Sequence, residues 1–323
     1  MTTAASAFRI LNARPLTVLG QTGDDGIKYL KYAGISVLAA SAAFAVAPDA
    51  VTAGRGTHGA APAADGFGAV ISSFRMTGVA KPYALGIYRD PSYVYGLIHG
   101  SSQNYLYRFT AAGARVSSYV LNGTSTPRDA CPAHIGAGYL AFVDATKRHL
   151  FISRVTGGPA VASFPVAGKP FPLNCFWDGS YYYVNGPSDL GEFARYGETG
   201  AAAGTWSCVG WPEGMTYCGG AAHAEHGNNA PGPYFVACSW LGGEPMCMTT
   251  FPGGSLVRTW TPPLENGNGL AYGKSSLPAA YGDAVWAAWF TGSSQYALEF
   301  DVAARSRPAV APASIGRIKS LYR

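Results

Sequence analysis

Val70-Ile-Ser-Ser-Phe-Arg75 decides the fold, because its core phrase returns along the chain. Ser72-Ser73-Phe74 comes back as Ser117-Ser118-Tyr119, Ala162-Ser163-Phe164, Gly204-Thr205-Trp206 and Arg258-Thr259-Trp260, with aromatics 45, 45, 42 and 54 residues apart. One four-stranded propeller blade occupies about 40 to 50 residues, so each phrase marks one blade. Between phrases the chain repeats short β-rich runs punctuated by Gly, Pro, Asp and Ser. The first set reads Tyr83–Tyr88, a turn at Asp90-Pro91, Ser92–Ile98, Asn104–Phe109 and Arg115–Leu121. The third reads Leu173–Trp177, Asp178-Gly179, Ser180–Val184 and Glu192–Tyr196, which places Asp90-Pro-Ser-Tyr93 and Asp178-Gly-Ser-Tyr181 at one hairpin corner.

These runs predict an all-β, five-bladed β-propeller over residues 69–306, with six blades as the alternative. The phrase occurs once before the first set, so the N-terminal strand Val70–Arg75 is expected to close the last blade and leave no open sheet edge. Arg307–Ala311 is the competing candidate for that place. A C-terminal arm, 307–323, then follows. The fourth repeat is the exception: Gly214–Gly220 reads as its inner strand, and Gly219–Pro233 as a long loop in place of a tight turn.

Composition agrees with many strands and turns. Only 13% of the 323 residues are charged, against 42 Gly, 22 Pro and 20 Tyr. The net charge of +5 is spread without a basic run, which argues against nucleic acid and for protein partners, self-assembly or a glycan. Residues 1–45 read as a signal peptide cleaved after Ala45, or as an uncleaved signal-anchor through the apolar stretch 33–47, the one route to a membrane. An Ala/Gly/Pro-rich linker, 46–68, leads to the blades. A secreted, periplasmic or cell-surface location follows from this reading.

Six cysteines, an even number, suit an oxidising compartment. The expected pairs are Cys131–Cys175 between neighbouring inner strands, Cys208–Cys218 across a short loop and Cys238–Cys247 across a hairpin. Zinc is the competing reading. His223, Glu225 and His226 form the one cluster resembling a metal-ligand set, though without the His-Glu-x-x-His spacing. Trp177, Trp211, Trp240 and Trp289 are candidates for stacking on sugars or anchoring a partner, and Asn122-Gly-Thr124 is a glycosylation acceptor if the host permits.

The corners and the Tyr-x-Tyr-x-Phe strands resemble those of small-bladed propellers of the secreted NHL or YVTN type. That resemblance covers about three quarters of the chain and implies a binding or structural module. Five-bladed propeller glycosidases, by contrast, place acidic residues on inner strands around the channel, where two carboxylates are needed. Asp129 is the clear inner-strand carboxylate here, with Glu213 and Glu265 at strand entrances. No Gly-x-Ser-x-Gly elbow, phosphate loop or dinucleotide fingerprint occurs, so no cofactor is expected. A non-enzymatic structural or protein-binding subunit is the leading expectation. A lectin-like glycan binder and a glycoside hydrolase are the alternatives.

Overall fold

A run such as Tyr93–His99 alternates its side chains between two faces, and in this chain both faces are buried (Val94 through Ile98). A short strand apolar on both sides needs cover on both sides, and stacking blades around an axis supplies it. The computed structural model describes residues 66–76, 84–100, 102–187, 189–227, 230–262, 266–291 and 294–303. The signal or anchor, most of the linker, Glu265 and the C-terminal arm lie outside them.

Strand β1 (Val70–Arg75) stands first. Blade 1 follows as β2 (Ala84–Arg89), β3 (Tyr93–His99), β4 (Asn104–Thr110) and β5 (Arg115–Asn122). Blade 2 is β6 (Pro127–Pro132), β7 (Tyr139–Asp144) and β8 (His149–Arg154), then β9 (Gly158–Pro159), which pairs in parallel with the end of β5, and β10 (Ala162–Pro165). Blade 3 is β11 (Asn174–Trp177), β12 (Tyr182–Asn185), β13 (Glu192–Tyr196) and β14 (Ala202–Ser207). Blade 4 is β15 (Gly220–Gly227), β16 (Ala230–Cys238), β17 (Met246–Thr250) and β18 (Leu256–Trp260). Blade 5 is β19 (Gly267–Lys274), β20 (Asp283–Thr291) and β21 (Ser294–Phe300), and β1 completes it by pairing Phe74 with Ala297 and Val70 with Phe300. The fold is thus a five-bladed propeller closed by its N-terminal strand. No helix among the described residues is long and apolar enough to cross a membrane.

Among the described residues, five apolar clusters each fill one gap between neighbouring blades. The repeated phrase has a definite place in this packing. Each copy is the fourth strand of its blade, and its aromatic reaches the segment leading into the fourth strand of the next blade. A methyl group added to Gly113 would lie 2.5 Å from Phe74, and one on Gly200 would lie 2.5 Å from Phe164. Tyr119 meets Gly157 and Trp260 meets Gly68 in the same way. In the remaining gap Trp206 donates from Nε1 to the Pro252 carbonyl at 2.7 Å. The phrase is therefore an inter-blade latch, repeated once per gap.

The fourth repeat corrects the sequence reading. Its inner strand is β15, which begins where Gly214–Gly220 was expected to end, and the expected loop 219–233 is most of the long β15–β16 hairpin. Small residues and prolines hid a strand pair whose ladder runs from Gly220↔Cys238 to Gly227↔Ala230.

Candidate functional site

The inner strands approach so closely that they close the axis. A methyl group on Gly220 would lie 2.5 Å from the carbonyl carbon of Gly269, one on Gly269 would lie 2.7 Å from Cα of Gly86, and one on Gly86 would lie 2.9 Å from Cα of Asp129. Only residues without Cβ permit that approach. The Gly269 N–H donates to the Gly219 carbonyl at 2.8 Å, which joins blades 4 and 5 directly.

Asp129, on β6, fills what remains of the axis and is fully buried. Its Oδ2 accepts from the Ala221 N–H at 2.9 Å, and its Oδ1 accepts from the Leu270 and Ala130 N–H groups at 3.1 and 3.0 Å. Desolvation raises its pKa well above the ordinary carboxylate range, and the backbone donors offset part of that rise. The carboxyl group joins blades 2, 4 and 5 and is walled off from solvent. Glu213 is exposed and away from it in the β14–β15 connection. The inner-strand carboxylate that pointed to glycosidase chemistry thus occupies a structural position.

Antiparallel meanders repeated around one axis put the first-to-second and third-to-fourth turns of every blade on one face. On that face the β15–β16 hairpin is flanked by two clefts. One, about 370 Å³, lies against blade 3 and is lined by Asp178, Tyr181, Tyr183, Arg195, His223 and Phe251 together with Ser180, Pro233 and Pro252. The other, about 300 Å³, lies against blade 5, where His226, Tyr281 and Asp283 meet Val302 and Ala303.

The corner motif builds the first cleft. Asp178 Oδ1 accepts from the Ser180 and Tyr181 N–H groups at 2.7 and 2.8 Å, and Oδ2 accepts from Tyr183 Oη at 2.8 Å. Asp90 does the same in blade 1, with Ser92, Tyr93 and Tyr95 at 2.7, 2.6 and 2.7 Å. An arginine of the third strand covers each corner: Arg195 lies 5.1 Å from the Tyr181 ring and Arg108 lies 4.5 Å from Tyr93. His223 stands edge-on to Phe251 at 5.2 Å, and burial lowers its pKa, so the imidazole is neutral near pH 7. In the second cleft the His226 N–H donates to Tyr272 Oη at 3.1 Å, and Tyr272 Oη donates to Asp283 Oδ2 at 3.3 Å.

The expected ligand cluster is therefore divided. His223 faces the blade 3 cleft and His226 the blade 5 cleft, while Glu225 is exposed between them beside a strand irregularity. Among the described residues no group of three or more His, Cys, Asp or Glu side chains is placed to hold a metal ion.

The tryptophans also separate. Trp289 is a core residue, 2% exposed, packed between blades 4 and 5. Trp177 lies against Tyr182 at 4.5 Å, Trp211 donates from Nε1 to the Met215 carbonyl at 2.9 Å, and Trp240 meets Tyr217 edge-on at 6.5 Å. All three are half-buried and none lines either cleft. Asn122 is exposed at the end of β5.

The six cysteines are buried free thiols. Cys131 and Cys175 bring their Sγ atoms to 3.8 Å in the gap between blades 2 and 3. Cys208 and Cys218 share the gap between blades 3 and 4, where Cys208 Sγ contacts Thr249 Oγ1 at 3.6 Å and Cys218 Sγ contacts the Gly220 carbonyl at 3.5 Å. Cys238 and Cys247 lie on opposite faces of blade 4, one in each neighbouring gap. Register explains it: Cys247 opposes Ala237, one residue from Cys238, and successive strand residues point to opposite sides.

The sequence reading missed Tyr181, Arg195, Phe251 and Asp283 as cleft residues. The signal for two of them was present, since Asp-x-Ser-Tyr-x-Tyr is followed one strand later by Arg in blades 1 and 3.

No protein-family model matches the chain, and no curated protein matches it. Among solved structures it is similar to the glutaminyl cyclase of Myxococcus xanthus, with 12% identity and a TM-score of 0.51, over 72% of this chain and 96% of that one. It is also similar to the nidogen/laminin complex, with 11% identity and a TM-score of 0.45 over 66% and 74%. The WD40 β-propeller domain of Doa1 gives 12% and 0.39 over 66% and 62%. The cyclase is an enzyme, and at 12% identity the likeness extends to the fold alone.

Proposed function

We propose that the chain is an exported, non-enzymatic propeller that serves as a protein-binding subunit of a surface or extracellular assembly. One observation carries the reading. The axis is closed by glycine backbones and a buried carboxyl group, while two clefts open on either side of a projecting hairpin. Chemistry on an axial substrate would need an open channel and a second carboxylate. Recognition needs concave surfaces, and the two clefts beside the hairpin supply them.

The test is stoichiometric partner retention by the full chain purified from its native host. Loss of the partner in Tyr181→Ser or His226→Ser, with retention in Tyr217→Ser outside both clefts, supports the proposal. A partner indifferent to both cleft variants, a monodisperse chain with no partner, or turnover of a polysaccharide by the purified chain overturns it.

A further inference from the structure

We propose that the cleft between blades 3 and 4 binds an extended, proline-rich peptide segment of the partner in polyproline II conformation. The inference rests on the protein-binding reading above and names its ligand chemistry.

The walls are rings. Tyr181 presents its ring, Tyr183 and Phe251, only 3% and 8% exposed, back the wall behind it, and the exposed Pro233 and Pro252 add flat apolar edges. Tyr181 is 36% exposed with its ring held under the Arg195 guanidinium, so the platform is fixed and accessible at once. Pyrrolidine rings pack on such surfaces, and a polyproline II segment is already ordered, so it loses little entropy on docking.

The polar groups discriminate further. Asp178, the sole carboxylate lining the cleft, accepts three hydrogen bonds from its own corner. Its acceptor capacity is largely used. Arg195 donates from Nε and Nη2 to the Ala203 carbonyl at 3.1 and 2.6 Å, and a guanidinium has five N–H donors, so donors remain. His223, a neutral imidazole with one donor and one acceptor nitrogen, stands at the cleft wall. The cleft thus holds guanidinium donors beside an exposed aromatic ring. A proline-rich segment complements them, because its carbonyls are unpaired and its prolines carry no N–H.

The experiment uses dye-labelled decaproline as probe and a Gly-Ser decamer as control, with binding to the full chain followed by fluorescence anisotropy. Saturable decaproline binding, weakened at least tenfold by Tyr181→Ala and by Arg195→Ala but unchanged by His226→Ala in the other cleft, is the expected result. Absence of saturation at millimolar peptide, equal binding of the Gly-Ser control, indifference to Tyr181→Ala, or displacement of the probe by an oligosaccharide overturns the proposal. Each substituted residue lies at the surface, and equal urea midpoints show that the variants are folded. If native-partner retention depends on His226 and not on Tyr181, this inference fails while the broader binding reading stands.

Discussion

The carboxylate of Asp129 accepts the backbone N–H of Ala221 at 2.9 Å, across the axis and across 92 positions of sequence. Blade 2 is thereby bonded to blade 4 by a group that touches no solvent. Burial raises this carboxyl group well above its ordinary value of 3.8, so the folded chain holds the proton more tightly than the unfolded chain. The stability it contributes is complete below the unfolded value and falls as pH rises through the window up to the raised folded value. Asp129→Asn removes that titration and turns an amide N–H toward a backbone N–H. In urea unfolding the variant is expected to be less stable by about 1–3 kcal/mol at pH 4, with the gap narrowing toward pH 8. A gap that widens with pH refutes the assignment.

The latch between blades isolates itself in a pair of glycines. Gly113 and Gly123 have φ of 85° and 75°, so alanine is strained at both, but only at Gly113 would the new methyl meet a neighbour, Phe74 at 2.5 Å. Gly123→Ala should cost about 1–2 kcal/mol from backbone strain alone. Gly113→Ala should cost about 1–3 kcal/mol beyond that, because Phe74 must move out of the gap between blades 5 and 1. Equal urea midpoints for the two variants would dismiss the latch.

Closure by β1 leaves a signature at Glu299. This fully buried carboxylate accepts from Ser72 Oγ at 2.5 Å and from the Ser276 N–H at 2.8 Å, with Ser276 Oγ as a third donor. Ser72→Ala removes the donor that the closing strand brings, and a loss of about 1–3 kcal/mol is expected from the chemical-denaturation midpoint. Removal of the chain through Arg75 exposes the edge of β21 and should yield an aggregating product in gel filtration. A soluble monomer with unchanged unfolding would exclude β1 as the closing strand.

Of the three cysteine pairs expected from sequence, the geometry favours Cys131–Cys175. Its sulfurs lie 3.8 Å apart and must close to about 2.05 Å. Burial pushes the Cys175 thiol well up, which leaves little thiolate, so the link should form during folding, and thiols still reduced once buried should resist oxidation. Non-reducing peptide mapping of protein folded with oxidised glutathione should find Cys131–Cys175 and no Cys238–Cys247 link. A bridge over this separation of 44 residues is worth about 4 kcal/mol on loop entropy alone. Detection of Cys238–Cys247 would contradict the opposite-face placement.

Legibility tracked the range of the interactions. Strands such as β4 were readable because Asn104-Tyr-Leu-Tyr-Arg-Phe109 announces alternation between nearby turn residues, whereas Glu192–Tyr196, the later β13, reads only as a degenerate strand. The Asp90 and Asp178 corners were readable because each carboxylate bonds within five residues of itself. β15 was not, since Gly-Ala-Ala-His-Ala-Glu-His-Gly has weak strand propensity and is held by its partner β16 and the crowded axis. The division of His223 from His226 was hidden for a related reason. Three residues apart along an irregular strand, they are assigned to different clefts by the neighbouring blades.

The sequence by itself determined the repeat, the all-β class and the outer strand of every blade, because alternation, turn chemistry and a recurring aromatic are local properties. Tertiary structure decided what the axis, the cysteines and the hairpin do. Whether Asp129 meets water or the Ala221 N–H, and whether Cys238 meets Cys247 or a different gap, depends on residues brought together by ring closure. No local pattern encodes those distances.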